Sequence, residues 1–233
     1  MGHTLRVSST DESLAAADDI HTYLVEQLNS ALRRPGMFSQ RDAALRMLVD
    51  HLLFVERRPE AWAEERRSWA SRGAAGSSTG LGGMFEELMP GGYDQNCVAS
   101  VYAEFAHRRG WLRPDRLLPA DEHHALRARV RPWAQTDRTW ADVLSEFGPP
   151  SILCGGASPL YSKTLGYLGA DPEEPMVFFH LWNGSTTAAE STWHELDEPV
   201  LLAVRFAGAP FEEAFTFSPE GQRRRPGPGS LSG

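Results

Sequence analysis

The chain has 233 residues, of which 41% are hydrophobic and 23% charged, with a formal net charge of −8. This composition supports a packed core and excludes wholesale disorder, and the acidic balance excludes the broad cationic surface that nucleic acid requires. Two cysteines exclude a disulfide scaffold, and no run approaches the ~18 apolar residues of a membrane span.

From Ile20, apolar residues recur at Tyr23, Leu24, Leu28, Ala31 and Leu32, one face of a 3.6-residue period that predicts a helix. "RRPGMF" stops it, because Pro35 and Gly36 favour a turn. Residues 34–38 resemble the "RPGMY" turn near the start of the GHKL-type ATPases, but the acidic ATP-binding motifs of that family are not evident downstream, so the segment reads as a helix stop. Ser39 and Asp42 flank the start of a second helix, whose stripe is Leu45, Leu48, Val49, Leu52 and Val55. Pro59 suits the first turn of a third, which carries Trp62 and Trp69 on one face.

Residues 71–84, "SRGAAGSSTGLGGM", are rich in small residues and read as a flexible connection or a mobile loop. Within it "GSSTG" matches G-x-S-x-G. A nucleophile elbow needs a buried strand before the serine, and the run before Ser78 is charged and helical. Then comes "GGYDQNCVASVYAEF". Asp94 is a natural N-cap, and Val98, Val101, Tyr102 and Phe105 form a helical stripe that Gly110 ends. Asp121 is placed to cap another helix, broken near Pro132. Residues 139–147 read as a short helix ended by "GPP".

After Pro150 the texture changes. "SILC", "KTLGYL", "PMVFFHLW", "PVLLAVRF" and "EAFTFS" are short, rich in β-branched and aromatic residues, and bounded by Gly, Pro, Asp or Asn. Helices first and strands later predict an α+β fold, a helical N-terminal half packed on a mostly antiparallel C-terminal sheet. The expected organisation is a helical region over 1–147, a β-rich region over 148–221 sharing one core with it, and a disordered tail over 222–233. Arg223, Arg224 and Arg225 fall in that tail as a solvated cluster.

Cys97 is the one cysteine placed where a helix begins, and there the free amides and the helix dipole can stabilise a thiolate. Gln95, Cys97, the helix that follows, and His180 in "VFFHLWN" resemble the arrangement of papain-like cysteine hydrolases. The resemblance implies Cys97 as nucleophile, His180 as base, Gln95 as an oxyanion donor and Asn183 as the residue orienting the imidazole. The chain departs from that pattern: Gln95 stands only two residues before the cysteine, and Val98 and Ala99 follow it. The other reading is packing. Cys97 lies about 90° from the centre of the helical stripe, and a free cysteine behaves as a small buried hydrophobe. His180 shares its strand face with Phe178 and Trp182, which also suits a core.

Eight histidines invite a search for metal ligands, but there is no H-E-x-x-H and no C-x-x-C. His123 and His124 are adjacent and diverge on a helix, and His194, Glu195 and Asp197 lie in a loop-like stretch. No metal site and no cofactor is expected. Trp111, Trp133, Trp140 and Trp193 sit near predicted element ends, where aromatics can anchor an interface.

"FGPPS", "SPLYSKTLGY", "FHLWNG", "LLAVRF" and "FTFSPEG", across residues 147–221, resemble segments of uncharacterised actinobacterial cytosolic proteins, a likeness that implies no activity. Arginine outnumbers lysine 22 to 1, which fits a GC-rich coding genome. With an N-terminus lacking an apolar export core, the expectation is a cytoplasmic, non-enzymatic module that binds another protein, as an immunity or regulatory partner does. It would bind neither nucleic acid nor membrane. A cysteine hydrolase or acyltransferase using Cys97 and His180, and a small-ligand sensor with a pocket between helices and sheet, are the alternatives.

Overall fold

The computed structural model describes residues 9–37, 42–71, 81, 85, 90, 94–171, 173–184, 194–210 and 213–225, with the backbone alone for 9–15. Helix α1 (Ser9–Arg33) buries Val25, Leu28, Ala31 and Leu32. The forward part of the expected stripe differs, since Ile20 and Tyr23 stand exposed. Among the described side chains of α1, full burial begins only at Val25. Buried Asn29 donates to the Trp111 carbonyl at 2.8 Å and accepts from the Arg113 amide at 2.7 Å, tying α1 to a distant segment. A 3₁₀ turn (Pro35–Met37) ends the helix as expected.

Helix α2 (Ala43–Val55) buries Leu45, Val49, Leu52 and Leu53. Helix α3 (Ala61–Ser71) buries both of its tryptophans. Trp62 meets Trp69 edge-on at 5.2 Å and stacks on Tyr102 at 5.0 Å. Tyr102 belongs to α4 (Gln95–Arg108), which is buried at every position from Cys97 to Ala106. A helix enclosed on all sides is a central element. Its Asp94 cap is present, the carboxylate accepting from the Asn96 amide at 2.7 Å.

The five strands form one antiparallel sheet in chain order: β1 (Ile152–Cys154), β2 (Lys163–Tyr167), β3 (Val177–Trp182), β4 (Val200–Phe206) and β5 (Phe215–Phe217). The fold is α+β. Alternation along β3 sends Phe178, His180 and Trp182 toward the α4 side and Val177, Phe179 and Leu181 to the other face. That second face is covered by α5 (Ala120–Trp133) and α6 (Trp140–Phe147) through Leu126, Val130, Val143 and Phe147. The sheet is thus sandwiched between helical layers, which is why β3 and β4 are buried on both faces and apolar apart from His180 and Arg205.

Three local expectations change. Pro119, not Asp121, takes the N-cap position of α5, and Asp121 sits in its first turn. Pro132 does not break α5 but lies in its last turn, one residue before the helix ends at Trp133. The C-terminal segment is ordered beyond Gln222, because α7 (Pro219–Arg224) docks on β4. Gly221 allows this: a Cβ there would fall 1.9 Å from the Leu202 carbonyl oxygen. Residues 226–233 lie outside the described residues, as do Ser78 with its G-x-S-x-G motif, Trp193, and most of the 71–83 segment. No described helix is long and apolar enough to cross a membrane.

Candidate functional site

The register of the sheet sets Thr164 of β2 opposite His180 of β3. The Thr164 hydroxyl lies 3.0 Å from His180 Nδ1, and the same side chain is close enough to the Cys97 thiol to favour its thiolate. Cys97 and His180 are therefore brought together, through an intervening hydroxyl. His180 is enclosed by the rings of Phe85, Phe178 and Phe215 at 5.8, 6.5 and 6.0 Å. Its Nε2 is buried with no hydrogen-bond partner among the described residues.

The electrostatics run against a nucleophile. Burial pushes the Cys97 thiol well above its ordinary value, and the nearby Asp94 carboxylate raises it further; the Thr164 hydrogen bond and Arg205 oppose this without prevailing. Burial also drives His180 well below the ordinary imidazole value, with the Arg205 charge adding to the effect. A thiolate–imidazolium pair needs both shifts in the opposite sense. The residue that caps α4 is thus one cause of the thiol's inertness. Cys97 and His180 are only 2% and 1% exposed, so substrate would not meet either of them.

The other two residues of the expected constellation lie elsewhere. Gln95 turns its carboxamide toward the Pro35–Met37 turn, with Oε1 3.6 Å from where a Cβ on Gly36 would sit. Asn183 closes a loop, its amide donating to the Leu196 carbonyl at 2.8 Å and its Oδ1 accepting from the Leu196 amide at 3.1 Å. It does not orient His180. The Nδ1 partner there is Thr164, which sequence reasoning missed.

Beside this group lies a buried ion pair that the sequence reading also missed. Arg205 of β4 donates to Glu104 of α4 at 2.9 Å and to Ser100 Oγ at 3.1 Å, and its guanidinium lies 4.6 Å over the Phe178 ring. Arg108 adds a second donor to Glu104 at 2.8 Å. Burial raises the Glu104 carboxyl, but the charges of Arg205 and Arg108 outweigh it and hold it below the usual range. The signal was present in "LLAVRF", where a charge inside an apolar strand demands a partner. Lys163, the only lysine, is likewise committed. Its ammonium donates to the Ser158 carbonyl at 2.6 Å and lies 3.7 Å over the Trp140 ring, and burial pulls its pKa down to about 8.

The described tryptophans of the expected interface are occupied within the fold. Trp111 is buried and donates to Glu56 at 2.6 Å. Trp133 packs edge-on against Phe147 at 4.9 Å. A cavity of about 160 Å³ lined by Glu104, His107, Arg108, Glu174 and Met176 lies where a sensor pocket was expected; ligand pockets run roughly 300–1,000 Å³. No group of described residues could hold a metal ion. His123 is buried and bonded to Glu174 at 2.7 Å, whereas His124 is exposed.

Among the described residues, one exposed apolar patch lies at the α1–α2 hairpin. Phe54 is 77% exposed, with Met47 on the same face of α2 at 54% and Ile20 on α1 at 52%. Ala17, Ile20, Phe54, Val55, Arg57 and Pro59 line a groove of about 470 Å³. The clue in the sequence was "LLFV": four consecutive apolar residues on a helix cannot share one stripe, so one must face outward.

No protein-family model matches the chain, and neither a curated protein nor a solved structure is similar to it.

Proposed function

We propose that this chain acts without catalysis, by binding another protein chain as an immunity or regulatory partner does, and that the α1–α2 face is its binding surface. The observation that carries the reading is Phe54, left 77% exposed beside an apolar groove. An aromatic in that position costs free energy in water and gains it when covered. Aromatic anchors beside a pocket are the usual centre of a protein interface.

Two further observations support the reading. The Cys97–Thr164–His180 group is buried and biased to neutrality, which counts against the hydrolase alternative. The Arg223–Arg225 cluster is engaged with acids of the fold. Arg223 pairs with Asp137 at 2.7 Å and Arg224 with Glu195 at 3.1 Å. That engages the densest run of arginines in the chain within the fold, where nucleic acid would otherwise meet it. The reading includes a cytoplasmic location, where two free buried thiols stay reduced.

The test is affinity capture from the source cells with tagged wild type, Cys97→Ala and Phe54→Glu. Wild type and Cys97→Ala should each retain a protein in stoichiometric amount, and Phe54→Glu should lose it. Retention by Phe54→Glu with loss by Cys97→Ala would contradict the reading, as would no retained protein at all.

A further inference from the structure

We propose that the cavity between α4 and the segment leading into β3 binds a small organic cation, an alkylammonium or guanidinium head; this site is separate from the α1–α2 face. The cavity, of about 160 Å³, is walled by Glu104, His107 and Arg108 of α4 and by Glu173, Glu174 and Met176 before β3, with the turn after β4 closing it. At ~30 Å³ for each water, that is space for a handful of heavy atoms. It suits the end of one basic side chain and excludes a nucleotide or a large cofactor.

The sign of the ligand follows from what the walls have left over. Glu104 is matched by Arg205 and Arg108, and Arg108 also pairs with Glu65, so the arginine lining the cavity is committed. Glu173 is exposed and makes no ion pair among the described residues. Glu174 is held in place by the fully buried His123, whose Nδ1 lies 2.7 Å from its Oε2. Gly169 makes room for that contact, since a Cβ there would fall 2.7 Å from the same oxygen. His107 lines the cavity, and its Nε2 is buried with no hydrogen-bond partner among the described residues. Burial and the Arg108 charge hold its pKa below the ordinary imidazole value. A neutral ring with its proton on Nδ1 presents a lone pair at Nε2. A buried polar atom without a partner costs free energy that a ligand's N–H recovers. An anion would meet the carboxylates of Glu173 and Glu174, and no group of described residues could hold a metal ion. The remaining class is a cation whose several N–H groups reach separate acceptors. Buried Met176 and Ala207 supply apolar wall for its alkyl stem.

Methylguanidinium chloride and methylammonium chloride, titrated into the full chain carrying isotopically labelled histidine, test this by nuclear magnetic resonance, with His107→Gln assigning the resonance. At least one of the two cations should move the His107 Nε2 signal saturably, and sodium acetate should leave it in place. Glu173→Gln should weaken the binding by about tenfold. Its unfolding midpoint should match wild type, because Glu173 makes no ion pair among the described residues. A peptide carrying one arginine and one lysine distinguishes the sources. A shift with the peptide as well assigns the site to a side chain of another protein, and a shift with the free cations alone assigns it to a small molecule. No saturable shift, an equal shift with acetate, or undiminished binding by Glu173→Gln would overturn the proposal.

Discussion

The hydroxyl of Thr164 stands 3.0 Å from Nδ1 of His180, inside the core and near the Cys97 thiol. Burial biases the thiol and the imidazole to their neutral forms. Packing that shields them from water also removes the charges that catalysis would require.

Alkylation distinguishes this arrangement from an active site. With the thiol held well above its ordinary value and 2% exposed, Cys97 should label slowly with iodoacetamide in the native protein and rapidly after denaturation. Cys97→Ser should cost on the order of 1 kcal/mol, since a hydroxyl would meet apolar neighbours. Fast native labelling that disappears in His180→Ala would contradict the packing account.

His180 makes folding stability depend on acid. Its folded pKa lies well below its ordinary value because of burial and Arg205, while the unfolded imidazole titrates near ~6.5. Below that pH the unfolded chain binds a proton that the folded chain refuses. Stability is therefore full above pH ~6.5 and falls on acidification, with His180 contributing about 1.4 kcal/mol per pH unit. Urea midpoints between pH 7 and pH 5 should fall more gently in His180→Gln than in wild type. Parallel profiles would show that His180 accepts a proton in place.

The Glu104–Arg205 pair should respond asymmetrically. Both side chains are 5% exposed, so losing Glu104 leaves the Arg205 charge buried with only the Ser100 hydroxyl and the Phe178 ring, and losing Arg205 leaves Glu104 with Arg108 alone. Glu104→Gln or Arg205→Met alone should cost about 3–5 kcal/mol, whereas the two together should cost less than the sum. Additive losses in denaturant unfolding would mean that the groups do not depend on one another.

Gly221 is required by contact rather than by backbone conformation. With a Cβ 1.9 Å from the Leu202 carbonyl oxygen, Gly221→Ala should lift α7 off β4. Proteolysis should then cut near residues 218–224 in the variant before it does so in wild type. Equal protection would show that the close approach relaxes without cost.

Much of the fold was legible because its signals are local. Each strand is an apolar run with Gly, Pro, Asp or Asn beside it, and Asp94 announces the start of α4. Trp62 and Trp69 display one helical face. What could not be read depends on register or on distant partners. Thr164 is an ordinary strand residue until pairing sets it opposite His180. Glu104 carries no local signal of burial, because its partner, Arg205, lies 101 residues away. Periodicity assigned Ile20 and Tyr23 to the core because a stripe shows which face is apolar, not whether another element reaches it. That gap is where the proposed binding face lies.

The most direct measurement places a photo-cross-linking phenylalanine analogue at position 54 in the source cells, with a control at position 161. Tyr161 is also exposed, at 50%, but lies on the loop between β1 and β2. A binding face at α1–α2 predicts a discrete protein adduct at position 54, whether a second copy or another chain, and none at 161. Equal or absent cross-linking at the two positions would contradict it.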